Sequence, residues 1–185
     1  MNFQHLADEI LYRGPIFDLV HSHFRLPNGK ERKYDLVKHH GAVTILPVDA
    51  QGRVWFVRQY RIGARQALLE LPAGLLEEGE SAEDSALREV REEIGMAARR
   101  LQRLGEFYMV PGYSTEKLVA FLATELVPSA LPMDDDEFLE HEAIPVQEVY
   151  TRIARGEFLD GKTIATMLLA QPYLSNLTGD ANTIK

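Results

Sequence analysis

Cysteine is absent from all 185 residues, which excludes disulfides, thiolate metal sites and a cysteine nucleophile. Any metal must therefore be held by oxygen or imidazole. Long apolar runs are absent as well. The longest pieces, AVTILPV from Ala42 and LVAFLAT from Leu118, fall far short of the roughly 20 residues needed to cross a bilayer, so no membrane-spanning helix is expected. The amino terminus carries Asp8 and Glu9 where a secretory leader needs an uninterrupted apolar stretch, and the expectation is a cytoplasmic protein. Positive charge is in deficit: 20 Lys and Arg against 28 Asp and Glu give a formal net charge of −8, which disfavours non-specific binding to nucleic acid. An anionic substrate would have to be attracted by metal ions and a local arginine cluster. What is present, 45% hydrophobic residues and no internal repeat, suffices for one core and one catalytic domain.

Two extended stretches, from Ile16 to Arg25 and from Glu31 to His39, flank Pro27-Asn28-Gly29 and predict a β-hairpin. Further strands are expected at Ala42 to Pro47, Val54 to Gln59, Leu101 to Tyr108 and Leu118 to Leu126. A helix is expected from Ala82 to Ile94, opened by the Ser81/Asp84 capping pattern and ended by Gly95. Two more should run from Val146 to Arg155 and from Lys162 to Leu169, with Ser129 to Glu142 an acidic loop between. Short strands mixed with helices, without regular alternation, indicate an α+β fold. Residues 1–40 form an amino-terminal β region, 41–174 the catalytic domain and 175–185 a polar tail. The hairpin is too small to bury its own Ile16, Phe17, Val20 and Phe24, so it is expected to form the interface of a homodimer.

On the helix at 82–94, Ala82, Ala86, Val90 and Ile94 stack at intervals of four as the buried stripe. Measured from Val90 at about 100° per residue, Glu93 lies at about −60°, Glu89 at about −100° and Glu92 at about −160°. Three carboxylates crowd one flank, and like charges so spaced repel unless something positive sits between them. On helix composition alone a solvated face laced with ion pairs accounts for such charges. A divalent cation is the alternative counter-charge, and all-oxygen ligands favour a hard ion such as Mg²⁺, which keeps waters and bridges to phosphate.

The wider context separates these two readings. Residues 74–96, GLLEEGESAEDSALREVREEIGM, resemble the Nudix box: Gly74, Glu80, Arg88-Glu89-Val90, Glu92-Glu93 and Gly95-Met96 all stand at its spacing. Such a match arises by chance with a probability on the order of 10⁻⁷ at ordinary residue frequencies. The resemblance implies the Nudix fold, a mixed β-sheet sandwiched between helices. It also implies Mg²⁺-dependent hydrolysis (Mn²⁺ as substitute) of the diphosphate linkage in a nucleoside-diphosphate derivative. Glu89, Glu92 and Glu93 would hold metal, together with the backbone carbonyl of Ala73; Arg88 would orient the carboxylates, and Glu80 would hold the loop to the helix.

Beyond the box, Pro111 within MVPGYSTEKL, the run Arg58-Gln59-Tyr60-Arg61 and Leu69-Glu70-Leu71-Pro72-Ala73-Gly74 resemble the ADP-ribose pyrophosphatase branch. That likeness implies ADP-ribose as substrate, with a nucleotide sugar such as GDP-mannose as the alternative and a domain that only binds nucleotide as a more distant one. It places Arg61 beside the terminal ribose or diphosphate, Pro111 near the substrate or merely shaping its loop, and Glu137 as a late catalytic glutamate. Either Glu137 or Glu93 would then be the general base. Arg58 and Arg61, three apart on a period-two strand, cannot both face the substrate without a bulge. Tyr34 would stack on adenine, or simply pack, and His39 stands where some members carry an arginine.

Overall fold

The computed structural model describes residues 1–132 and 138–174. Strands β1 (Gln4–Arg13), β2 (Phe17–Arg25) and β3 (Glu31–His39) form an antiparallel sheet in that order. Next come β4 (Ala42–Pro47), β5 (Arg53–Arg61), β6 (Gln66–Glu70), β7 (Ala73–Leu75) and helix α1 (Ala82–Glu93). The chain continues through β8 (Met96–Tyr108), β9 (Lys117–Pro128), β10 (Glu140–Pro145), α2 (Val146–Ala154) and α3 (Gly161–Leu174). A four-stranded mixed sheet runs β7-β4-β9-β8, with β4 and β9 parallel, and a smaller antiparallel sheet runs β10-β5-β6.

Helices cover both faces of the mixed sheet, which is why AVTILPV reads as an unbroken apolar run rather than an alternating one. Val43 and Ile45 of β4 and Val119 and Phe121 of β9 pack with Ala86, Val90 and Ile94 of α1. On the other face Leu46 and Leu122 meet Met167, Ala170 and Leu174 of α3 and Val149 of α2. Burying one such side chain contributes roughly 1.5–3 kcal/mol, so the stripe, more than helix propensity, fixes where α1 lies. Its ends are set locally. The Ser81 hydroxyl accepts the Asp84 N–H at 3.1 Å, and Gly95 takes the left-handed φ of 70° that ends the helix.

The amino-terminal region departs from a hairpin, because β1 adds a third strand. That strand is exposed along nearly its whole length, so no alternating buried face marks it, and its backbone ladder to β2 is what holds it. The expectation of four unburied apolar residues is corrected in part. Val20 is fully buried and Phe24 half-buried, while Ile16 and Phe17 stay 50% and 39% exposed. The acidic loop also ends earlier than expected, since Glu140 to Glu142 already pair with Phe56 to Arg58 as part of β10. Helix α3 runs on to Leu174, past Pro172, where apolar spacing had suggested an end at Leu169. The polar tail from 175 lies outside the described residues.

Candidate active site

A cleft of about 730 Å³ opens where β7 and the second half of α1 meet the end of β5, β6 and the start of α3. Gly74, Arg88, Glu89 and Glu92 line it, with Arg61, Glu70 and Lys162 from the other elements, His39 from the end of β3, and Met109 and Glu116 from the turn between β8 and β9.

Burial along α1 follows the helical angles. Glu93 is 2% and Glu89 7% exposed, and Glu92, furthest round from Val90, is only half-buried. The Arg88 guanidinium lies among the carboxylates, donating to Glu89 at 2.7 Å, Glu92 at 2.8 Å and Glu80 at 3.0 Å. The arginine one position before Glu89 already reaches both carboxylates. Hydrogen bonding to Glu80 leads the effects that raise the Arg88 pKa, and the same contact holds Glu80 below its ordinary value. Glu80 also accepts the Glu77 N–H at 3.3 Å, tying the loop to the helix.

Glu93 joins the helix to β7 by accepting the Ala73 N–H at 3.1 Å, and His141 of β10 donates to the Glu93 carbonyl at 2.5 Å. Glycine at 74 makes room for the Glu89 carboxylate, which a Cβ there would displace. The donor set is all oxygen: the carboxylates of Glu89, Glu92 and Glu93 beside the Ala73 backbone. That fits a hard divalent ion, although among the described residues no three carboxylate or imidazole groups already converge on one point.

Arg61 extends from β5 to Glu70, its Nε at 2.9 Å and Nη2 at 2.7 Å from the carboxylate oxygens. Lys162 pairs with the same carboxylate. Burial pushes the Glu70 pKa up, but these two cations outweigh it and hold the group below its ordinary value. Arg58 turns the other way and pairs with Glu142 at 3.1 Å, as the strand period requires. Glu70 and Lys162 were not picked out from sequence. Glu70 sits in a recognisable run, but Lys162 lies 92 residues away and nothing local marks it. His39 also lines the cleft. Its Nδ1 accepts the Gly41 N–H at 3.0 Å, and burial lowers its pKa, favouring the neutral ring.

Of the residues singled out from sequence, Arg88, Glu89, Glu92, Ala73 and Arg61 line this one cleft, and Glu93 adjoins it through Ala73. Tyr34 does not line the cleft of its own chain; it lies on β3, 40% exposed and edge-on to Phe24. Pro111 is exposed in the turn between β8 and β9, where the Tyr113 and Ser114 N–H groups bond to the Val110 carbonyl at 3.1 and 3.0 Å. Glu137 falls outside the described residues.

Comparison with known proteins agrees with this geometry. A model of the NUDIX domain matches residues 38–167. Over 160 residues the chain is 38% identical to an ADP-ribose pyrophosphatase of Bacillus subtilis (strain 168), covering 85% of this chain and 86% of that protein. It is 36% identical over 170 residues to an ADP-ribose pyrophosphatase of Mycobacterium tuberculosis (strain ATCC 25618 / H37Rv), covering 90% and 82%. The crystal structure of an ADP compounds hydrolase superposes with a TM-score of 0.84 at 25% identity, covering 95% of this chain and 96% of that one. With the box intact on a helix that lines the cleft, the chain belongs to the NUDIX domain family, as one of its hydrolases.

Proposed function

We propose that this cleft hydrolyses the diphosphate linkage of ADP-ribose to AMP and ribose 5-phosphate. The observation that carries the reading is the set Glu89, Glu92 and Glu93 on α1: Glu89 and Glu92 are bonded to Arg88 in the cleft that Gly74 and Arg61 also line, and Glu93 is tied to Ala73 at its edge. Glu89, Glu92, Glu93 and the Ala73 carbonyl would hold Mg²⁺, or Mn²⁺ in its place. When bound, such an ion lowers the pKa of a water and neutralises phosphate oxygens. Water adds to one phosphorus, the bridging P–O bond breaks, and the water's proton passes to a carboxylate, Glu93 or Glu137. Arg88 keeps Glu89 and Glu92 in place, and Arg61, fixed by Glu70, is presented to the phosphates or terminal ribose.

Relatives that bear the name ADP-ribose pyrophosphatase over most of their length favour ADP-ribose over a nucleotide sugar. The prediction is a higher kcat/KM for ADP-ribose than for GDP-mannose in a side-by-side assay. GDP-mannose better by tenfold or more would refute the substrate while leaving the hydrolase intact. Selectivity above about 10²-fold requires polar or stacking contacts to base and ribose, because the diphosphate is common to both compounds.

The protein is further proposed to act as a homodimer through residues 1–40. Ile10, Leu11 and Tyr12 of β1 are 45%, 45% and 56% exposed, an apolar surface the single chain leaves open. In such an assembly Tyr34 would serve the neighbouring cleft. Light scattering at micromolar concentration should give twice the 20.9 kDa chain mass, and a monomer there ends this part of the proposal.

A further inference from the structure

Lys162 stands where structure alone gives little reason for a lysine. It is 8% exposed, and it occupies the first turn of α3, where the helix dipole is unfavourable to a cation. Its ammonium pairs with Glu70, itself 1% exposed, and with Asp160 at 3.1 Å. The capping of α3 does not need the lysine. Asp160 accepts the Thr163 N–H at 3.0 Å and its hydroxyl at 2.6 Å, and the Thr163 hydroxyl accepts the Leu71 N–H at 2.9 Å. Replacing a buried ion pair with apolar packing is often neutral or stabilising, so two carboxylates and a lysine held here point to something besides stability.

The whole cluster borders the cleft, which Glu70 and Asp160 line together with the two cations. Glu70 is almost wholly covered, whereas the Arg61 side chain is 41% exposed, and both Arg61 and Lys162 line the cleft. An ammonium has three N–H donors, of which Glu70 takes one, and Asp160 lies within ion-pair distance at 3.1 Å. We propose that Lys162 is a substrate-binding cation, one of whose remaining donors, beside Arg61, takes an anionic oxygen of the diphosphate. This rests on the reading of the cleft as a diphosphate site. Glu70 then has a positioning role, holding both cations at a fixed separation.

The test uses the full chain and Lys162→Met, which keeps length and loses charge. ADP binding is measured by calorimetry in chelator, hydrolysis of ADP-ribose with Mg²⁺ is measured separately, and thermal unfolding reports the fold. The expected result is ADP affinity at least tenfold weaker and KM at least tenfold higher with kcat within threefold, in a variant that still unfolds cooperatively but at a lower temperature, since Glu70 and Asp160 lose a buried partner. Lys162→Arg should regain much of the lost affinity. ADP binding and KM unchanged in Lys162→Met overturn the proposal. Should that variant fail to fold, Lys162→Gln, which retains donors to Glu70, is measured instead, and wild-type ADP affinity there overturns it equally. A wild-type chain that leaves ADP-ribose intact would remove the substrate reading, while ADP binding would still decide the role of Lys162.

Discussion

Glu93→Gln should fold normally and lose about 10³-fold or more in turnover, equivalent to about 4 kcal/mol of transition-state stabilisation. The amide oxygen can still accept the Ala73 N–H, so the tie between α1 and β7 survives the change. What is lost is one negative charge at the buried end of the carboxylate set, where Glu93 is 2% exposed. Burial makes that charge matter, because water screens it poorly. Circular dichroism and thermal unfolding would show the fold, and steady-state kinetics the loss. Turnover within threefold of wild type would remove Glu93 from the site.

Gly74→Ala is expected to lower activity far more than stability without deleting any charge. Gly74 does not have a positive φ, so an alanine suffers no backbone strain. Its methyl group would instead overlap the Glu89 carboxylate, which must swing aside and leave the guanidinium of Arg88 at 2.7 Å. A shift of about 1 Å in a catalytic group can cost 10²-fold, and the loss in kcat/KM should be at least of that order. Only the end of a flexible side chain has to move, so stability should fall by no more than about 1–2 kcal/mol. Near-wild-type activity in a folded Gly74→Ala protein would mean that the Glu89 position is not used.

Much of the site was legible because its parts are local. Glu89, Glu92 and Glu93 share one helix, the four-residue spacing of Ala86, Val90 and Ile94 places that helix on the sheet, and Gly95 ends it. The strands β4 and β9 were legible for the same reason, as apolar runs buried on both faces. Strand β1 was not, since hydrogen bonds to β2 rather than burial make it a strand. The pairing of Glu70 with Arg61 and Lys162 was hidden for another reason: it joins three elements, and only the folded chain brings Lys162 to a carboxylate 92 positions earlier. Arg88 was read as an orienting group, but its reach to Glu80, Glu89 and Glu92 together depends on how the loop before α1 folds back.

The central claim is that the carboxylates of α1 support metal-dependent cleavage of a diphosphate. Incubating the purified chain with ADP-ribose in Mg²⁺, and in parallel with excess chelator, and following the phosphorus NMR spectrum tests this most directly. The diphosphate resonances should give way to those of AMP and ribose 5-phosphate in Mg²⁺ and persist in chelator. Diphosphate that stays intact with both Mg²⁺ and Mn²⁺, or cleavage that proceeds unchanged in chelator, would contradict it.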